Sequence, residues 1–200
     1  NLILLFQLIV CGLIFAAPEE EFSVNDNITQ TKPTLLEDPF LQAEYLFHSG
    51  DFLAAKLLYH DYLSQNPSGK RSHQALFRLG SIDQSIKSYS TAARFYQIFL
   101  QRFPRSMLAD SVRFGLAVCH YELADYNSAE SNFKMVLRLS SDKKIKWKIM
   151  IYLAQIDGGR MNYEKAFTKL KQAHGQIENK EIRKQAILVT EKLINEQLGK

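Results

Sequence analysis

Small and apolar side chains recur along this chain at a fixed interval of 37 residues. Ala55, Ala92, Ala129 and Ala166 stand that far apart, and so do Ala43, Gly80, Ala117 and Ala154. The same interval links Phe52, Tyr89, Tyr126 and Tyr163, then Tyr59, Tyr96, Phe133 and Leu170, and then Leu63, Leu100 and Leu137. A constant period of this length predicts a stack of helical repeats. Within each unit the first small residue precedes the second by 12. That spacing suits two antiparallel helices that approach closely at small residues and are braced elsewhere by aromatics and Leu. The prediction is therefore an all-α chain of four helical hairpins, at about 36–72, 73–109, 110–146 and 147–178. Residues 179–200 follow, where Ile182, Ala186, Val189 and Leu193 share one helical stripe opposite a largely charged side. This is the pattern of a capping helix.

The stretches GDFLAAKLLYHDYLSQNP (50–67), KSYSTAARFYQIFLQRFP (87–104) and ADYNSAESNFKMVLRLSS (124–141) resemble the second helix of tetratricopeptide (TPR) repeats. Leu79-Gly80, Gly50-Asp51-Phe52, Pro67 and Pro104 match the TPR pattern. The fourth unit lacks the closing Pro and the turn Asp, and the period exceeds the usual 34 of a TPR by three residues, which fall after the Pro. The resemblance covers roughly 36–174 and implies a right-handed superhelical solenoid whose first helices line a concave face. The stretch FPRSMLADSVRFGLAVCHYEL (103–123) is similar to the BamD-like and CpoB-like envelope proteins of Gram-negative bacteria.

Composition adds little to the fold but something to the partner. With 46% hydrophobic residues the chain can bury a sizeable core. Residues 1–100 hold 7 basic and 10 acidic side chains, a balance of −3, against 18 and 11, or +7, in 101–200. Lys143, Lys144, Lys146 and Lys148 are the densest basic run, with no aromatic platform or Arg-rich groove beside them, so they read as a solvated helix face and nucleic acid is not expected as a partner. Cys11 and Cys119 are the two cysteines. They are too few and too far apart for a disulfide framework or a thiolate metal site, and Cys119 reads as a small buried hydrophobe.

Residues 1–17, NLILLFQLIVCGLIFAA, carry no charge and are followed by Pro18 and the acidic run Glu19 to Glu21. They read as a secretory signal or a membrane anchor whose start is missing, since the chain begins with Asn and not Met. Leu8-Ile9-Val10-Cys11-Gly12 is similar to a lipobox, with Cys11 as the lipidation candidate. Cleavage near Ala16 or Ala17 is the alternative. Residues 18–34 lack an apolar period and read as a flexible tether. The expected location is extracytoplasmic, in the periplasm, either free or anchored to the inner or outer membrane.

Carried through the small-residue register, the groove positions implied by the TPR resemblance are Phe40, Phe77, Phe114 and Ile151, with a second column of Phe47 and Tyr121 beside Glu44, His48, Gln84 and Glu122. Aromatics in such columns supply contact area at small entropic cost to a bound peptide, or else pack between repeats. The Ala and Gly columns read as structural. No phosphate loop, metalloprotease motif, nucleophile elbow or cluster with metal-ligand spacing is present. His120-Tyr121-Glu122 has no nucleophile in view, and His48 and His60 at best face each other across the first hairpin without further ligands. The expectation is thus a non-enzyme without cofactor, metal or small-molecule substrate. It would bind a protein or peptide segment, and the resemblance implies outer-membrane protein assembly or coordination of envelope growth. The alternative is the N-terminal TPR region of a longer penicillin-binding-protein activator or periplasmic receptor.

Overall fold

The structure is a computed structural model that describes residues 38–176 and 180–199. The signal segment, the tether, Cys11 and the boundary between the fourth hairpin and the cap lie outside the described residues. Nine helices are described: α1 Pro39–His48, α2 Phe52–Gln65, α3 Ser72–Ser85, α4 Tyr89–Arg102, α5 Ala109–Glu122, α6 Tyr126–Leu139, α7 Lys143–Gly159, α8 Tyr163–Gln176 and α9 Lys180–Gln197. They form the all-α helical solenoid that the 37-residue period predicts. The chain divides into two compact units, 1–115 and 116–200. Among the described residues no helix is long and apolar enough to cross a membrane.

Each hairpin closes in the same way. The N–H of Gly50 bonds the Phe47 carbonyl and that of Asp51 bonds the Leu46 carbonyl, at 3.2 and 2.9 Å. This pair of bonds is a Schellman motif, which needs a left-handed residue just past the helix. Gly50 supplies it with φ +86°. At intervals of 37 the same role falls to Lys87, Ala124 and Met161, with φ of 63°, 60° and 60°, and the same two bonds close each turn. The residue after the left-handed one then starts the next helix. Asp51 and Asp125 accept the N–H groups of Ala54 and Ser128 on their side chains, satisfying a donor that the new helix leaves free.

The junctions between hairpins are less uniform. Residues 66–71 and 103–108 separate α2 from α3 and α4 from α5, whereas three residues, 140–142, precede α7. There Asp142 caps the Lys144 and Ile145 N–H groups at 2.7 and 3.3 Å, and the helix starts earlier and runs 17 residues against 14 for α3. The three residues beyond the usual TPR length are thus helical in the fourth hairpin and irregular in the second and third.

In the first unit Tyr59 and Tyr96 are at most 1% exposed, and in the second Phe133 and Leu170 are at most 2% exposed. Ala43, Ala55, Ala92, Ala117, Ala129, Ala154 and Ala166 are fully buried, and Gly80 is buried. The Tyr96 ring shows why small residues are needed: a Cβ on Gly80 would lie 2.4 Å from it, and one on Gly115 would lie 2.8 Å away. In the second unit, α9 places Ala186, Val189 and Leu193 in a core with Ile151, Ala154, Ala166 and Leu170. A Cβ on Gly158 would meet Leu193 at 2.1 Å, so α9 lies close against α7. The Ile182 side chain lies outside the described residues.

Candidate partner-binding surface

In the first unit, α1, α2 and α3 bring together a charged and aromatic cluster. Glu44 accepts hydrogen bonds from Nε and Nη2 of Arg78, at 3.0 and 2.9 Å, and from the Tyr59 hydroxyl. The bidentate fork fixes the guanidinium plane, which lies over the Phe47 ring at 4.4 Å, a cation–π contact. His48 stands exposed at the cluster's edge, its Nε2 3.7 Å from Glu44. Burial pushes the Tyr59 phenol up from its ordinary pKa, and the Glu44 charge adds to the shift, so this hydroxyl remains a donor. The sequence reading picked out Glu44, Phe47 and His48 but missed Arg78 and Tyr59. A signal existed: Arg78 lies 34 residues after Glu44, three short of a full period, on the next hairpin's first helix with opposite charge.

The other candidate positions in this unit differ in accessibility. Phe40 is 5% exposed, edge-on to Tyr59 and under the Arg71 guanidinium. Gln84 is buried and accepts the Tyr96 hydroxyl at 2.9 Å, and Phe114 is 8% exposed. Phe77 is half-buried, 6.5 Å from the Tyr96 ring. The surface of this group is therefore carried by Phe47, His48, Phe77 and the Glu44–Arg78 fork. His60 does not face His48; its ring lies against Phe95.

In the second unit Ile151 belongs to the core, and Glu122 is exposed. Tyr121 packs between Tyr126 and Tyr152, with centroids at 5.7 and 5.1 Å. Burial, reinforced by the Glu122 charge, pushes its phenol up to about 12. His120 turns toward Asp125, with 3.2 Å from Nδ1 to the carboxylate, across the hairpin turn that its own carbonyl closes. Cys119 is fully buried, and burial raises its thiol to about 12, which leaves it a poor nucleophile. Of the lysine run, Lys148 is half-buried, and burial lowers its ammonium pKa, with Lys144 adding to the effect. Among the described residues no group of His, Cys, Asp or Glu is placed to hold a metal.

A family model described as "Tetratricopeptide repeat" matches residues 74–106, the second hairpin and the start of the junction that follows it. The second hairpin is a TPR repeat. Solved structures of MamA share the TPR-type fold of this chain. MamA AMB-1 in crystal form P212121 has a TM-score of 0.58 at 19% identity, over 69% of this chain and 70% of that one. Two further MamA crystal structures give TM-scores of 0.55 and 0.56, each at 16% identity over 78% of this chain, covering 95% and 87% of theirs. No curated protein matches the sequence.

Proposed function

We propose that this TPR protein is a non-enzymatic scaffold of the bacterial cell envelope. In this reading it holds a segment of a partner protein on the first helices of its hairpins. The observation that carries the reading is the cluster on α1 and α3. There an Arg–Glu fork, the Phe47 ring and exposed His48 offer oriented polar groups beside aromatic surface, the composition typical of anchor points at protein interfaces. The resemblance to BamD-like and CpoB-like proteins supports a place in outer-membrane protein assembly or in the coordination of envelope growth, and the uncharged segment 1–17 supports an extracytoplasmic location.

Site-specific photo-crosslinking in the native envelope tests this. The reactive group replaces Phe77 in one strain and the exposed Arg94 in another. Capture of a barrel-assembly component from Phe77 alone supports the assembly role, and capture of a peptidoglycan synthase supports growth coordination. Equal capture from both positions, or none from Phe77, means that the α1 and α3 face binds no partner.

A further inference from the structure

The junction between α4 and α5 departs from the other junctions in the polarity of its residues. Met107 is 89% exposed, yet its counterparts one period away are Lys70 and Lys144. Phe103 corresponds to Asn66 and Ser140, and Leu108 to Arg71 and Ile145. Met107 thus stands at the surface, with Phe103 and Leu108 half-buried beside it, where neighbouring repeats carry mostly polar residues. They border an open cavity of about 640 Å³ that also reaches His73, Arg102 and Arg105, a volume within the range of ligand sites.

The charge of this cavity is one-sided. Among the described residues no acidic side chain lines it. Arg102 donates to the Pro67 carbonyl and lies over the Phe103 ring at 5.9 Å. These partners orient the guanidinium without neutralising it, and among the described residues neither Arg102 nor Arg105 has a carboxylate partner. His73 packs against the Phe103 ring at 5.8 Å, which holds the apolar wall in place. The cavity therefore presents two uncompensated cations beside an exposed thioether and an aromatic ring.

We infer that this cavity binds an acidic protein segment in which Asp or Glu neighbours an aliphatic or aromatic side chain. The carboxylate meets the Arg102 and Arg105 guanidiniums, for which planar bidentate pairing is favoured. The apolar side chain lies on Phe103 and Met107, whose flexible thioether adapts to different shapes. The site lies in the loop after the second hairpin, apart from the α1 and α3 cluster, and rests on the scaffold reading only in that its occupant is a protein segment.

The test is selection from a random-peptide library on the full chain, with counter-selection on the Arg105→Gln/Met107→Ser double variant. Both positions are exposed, so the fold tolerates the changes, and a circular dichroism melt confirms it. The expected consensus pairs Asp or Glu with Leu, Ile, Met or Phe. Affinity for the selected peptide should fall about tenfold in each single variant, as for an interface anchor, should weaken with added salt, and should be unchanged in Arg94→Gln. A consensus without acidic residues, no peptide retained over the double variant, or binding insensitive to both substitutions overturns the inference. Peptides lost on Phe47→Ala or Phe77→Ala but not on Arg105→Gln overturn it while leaving the scaffold reading intact. Displacement of the peptide by equimolar decanoate would assign the cavity to a lipid ligand and overturn it as well.

Discussion

The turns inside the hairpins and the junctions between them are loops built to different rules. All four turns share two hydrogen bonds and a left-handed residue, at 50, 87, 124 and 161, although the residues there are Gly, Lys, Ala and Met. The junctions share only the amide of their first residue, Asn66, Phe103 or Ser140, bonded back to the preceding helix. Beyond it the first two share two more backbone bonds, at Gly69 and Ser72 and at Ser106 and Ala109, while the third is three residues shorter and the side chains of all three differ in charge and polarity. Backbone geometry fixes the turns and so keeps the repeats in register, whereas the junctions are free to carry chemistry of their own.

The strongest test of the first half of that contrast removes a charge beneath a turn. Asp83, whose carbonyl closes the second turn, has a fully buried carboxylate bonded to Lys56. Lys56→Met leaves that carboxylate without its cation, a loss of the kind that costs about 3 kcal/mol, the low end because Lys56 keeps 27% of its side chain exposed. The midpoint of urea denaturation should fall accordingly. Gly80→Ala comes next. Its Cβ meets the Tyr96 ring, which Gly115 blocks on its other side, and overpacking of this kind costs about 1–3 kcal/mol. A midpoint shift at unchanged denaturant slope would show it.

Smaller effects should separate the four turns from one another. Ala124→Gly relieves a left-handed cost of about 1–2 kcal/mol and returns about 0.4–1 kcal/mol through the freer unfolded chain. The expected outcome is a modest rise in melting temperature, mirrored by a fall for Gly50→Ala, where no neighbour lies within 4 Å and the backbone alone decides. Smallest is a pH effect at the fourth turn, where Arg160 bonds Glu130 and Asn127. Hydrogen bonds from Lys134 and then Arg160 hold the Glu130 carboxyl below its usual 4.5. A depressed folded-state value means that the stability it contributes is present above pH 4.5 and is lost as pH falls through the lower folded value. Melting curves of wild type and Glu130→Gln should therefore differ at neutral pH and converge in acid.

The fold was legible because repetition reinforces each signal. Ala92 alone says little, but Ala55, Ala129 and Ala166 in step with it require a contact that every hairpin makes. The turns were legible only at Gly50, where the residue type shows the conformation. Lys87, Ala124 and Met161 adopt the same backbone because the flanking helices impose it, and no local propensity reveals that. The α1 and α3 surface was half visible. Glu44, Phe47 and His48 lie one helical turn apart on one helix, but Arg78 joins them only through the stacking of two hairpins. Phe40, Phe114 and Ile151 show the limit of a periodic reading, because an interior side chain and a surface anchor recur with the same period and only packing tells them apart.

The most direct measurement is a junction exchange in which residues 103–108 take the sequence of 66–71, with peptide affinity and thermal melting recorded on the same sample. The account predicts a chain that still melts cooperatively as a helical protein and no longer binds the acidic peptide. A chain that binds the peptide as before would show that the junction carries no recognition. One that fails to fold would show that the junction, and not the turns alone, sets the register of the repeats.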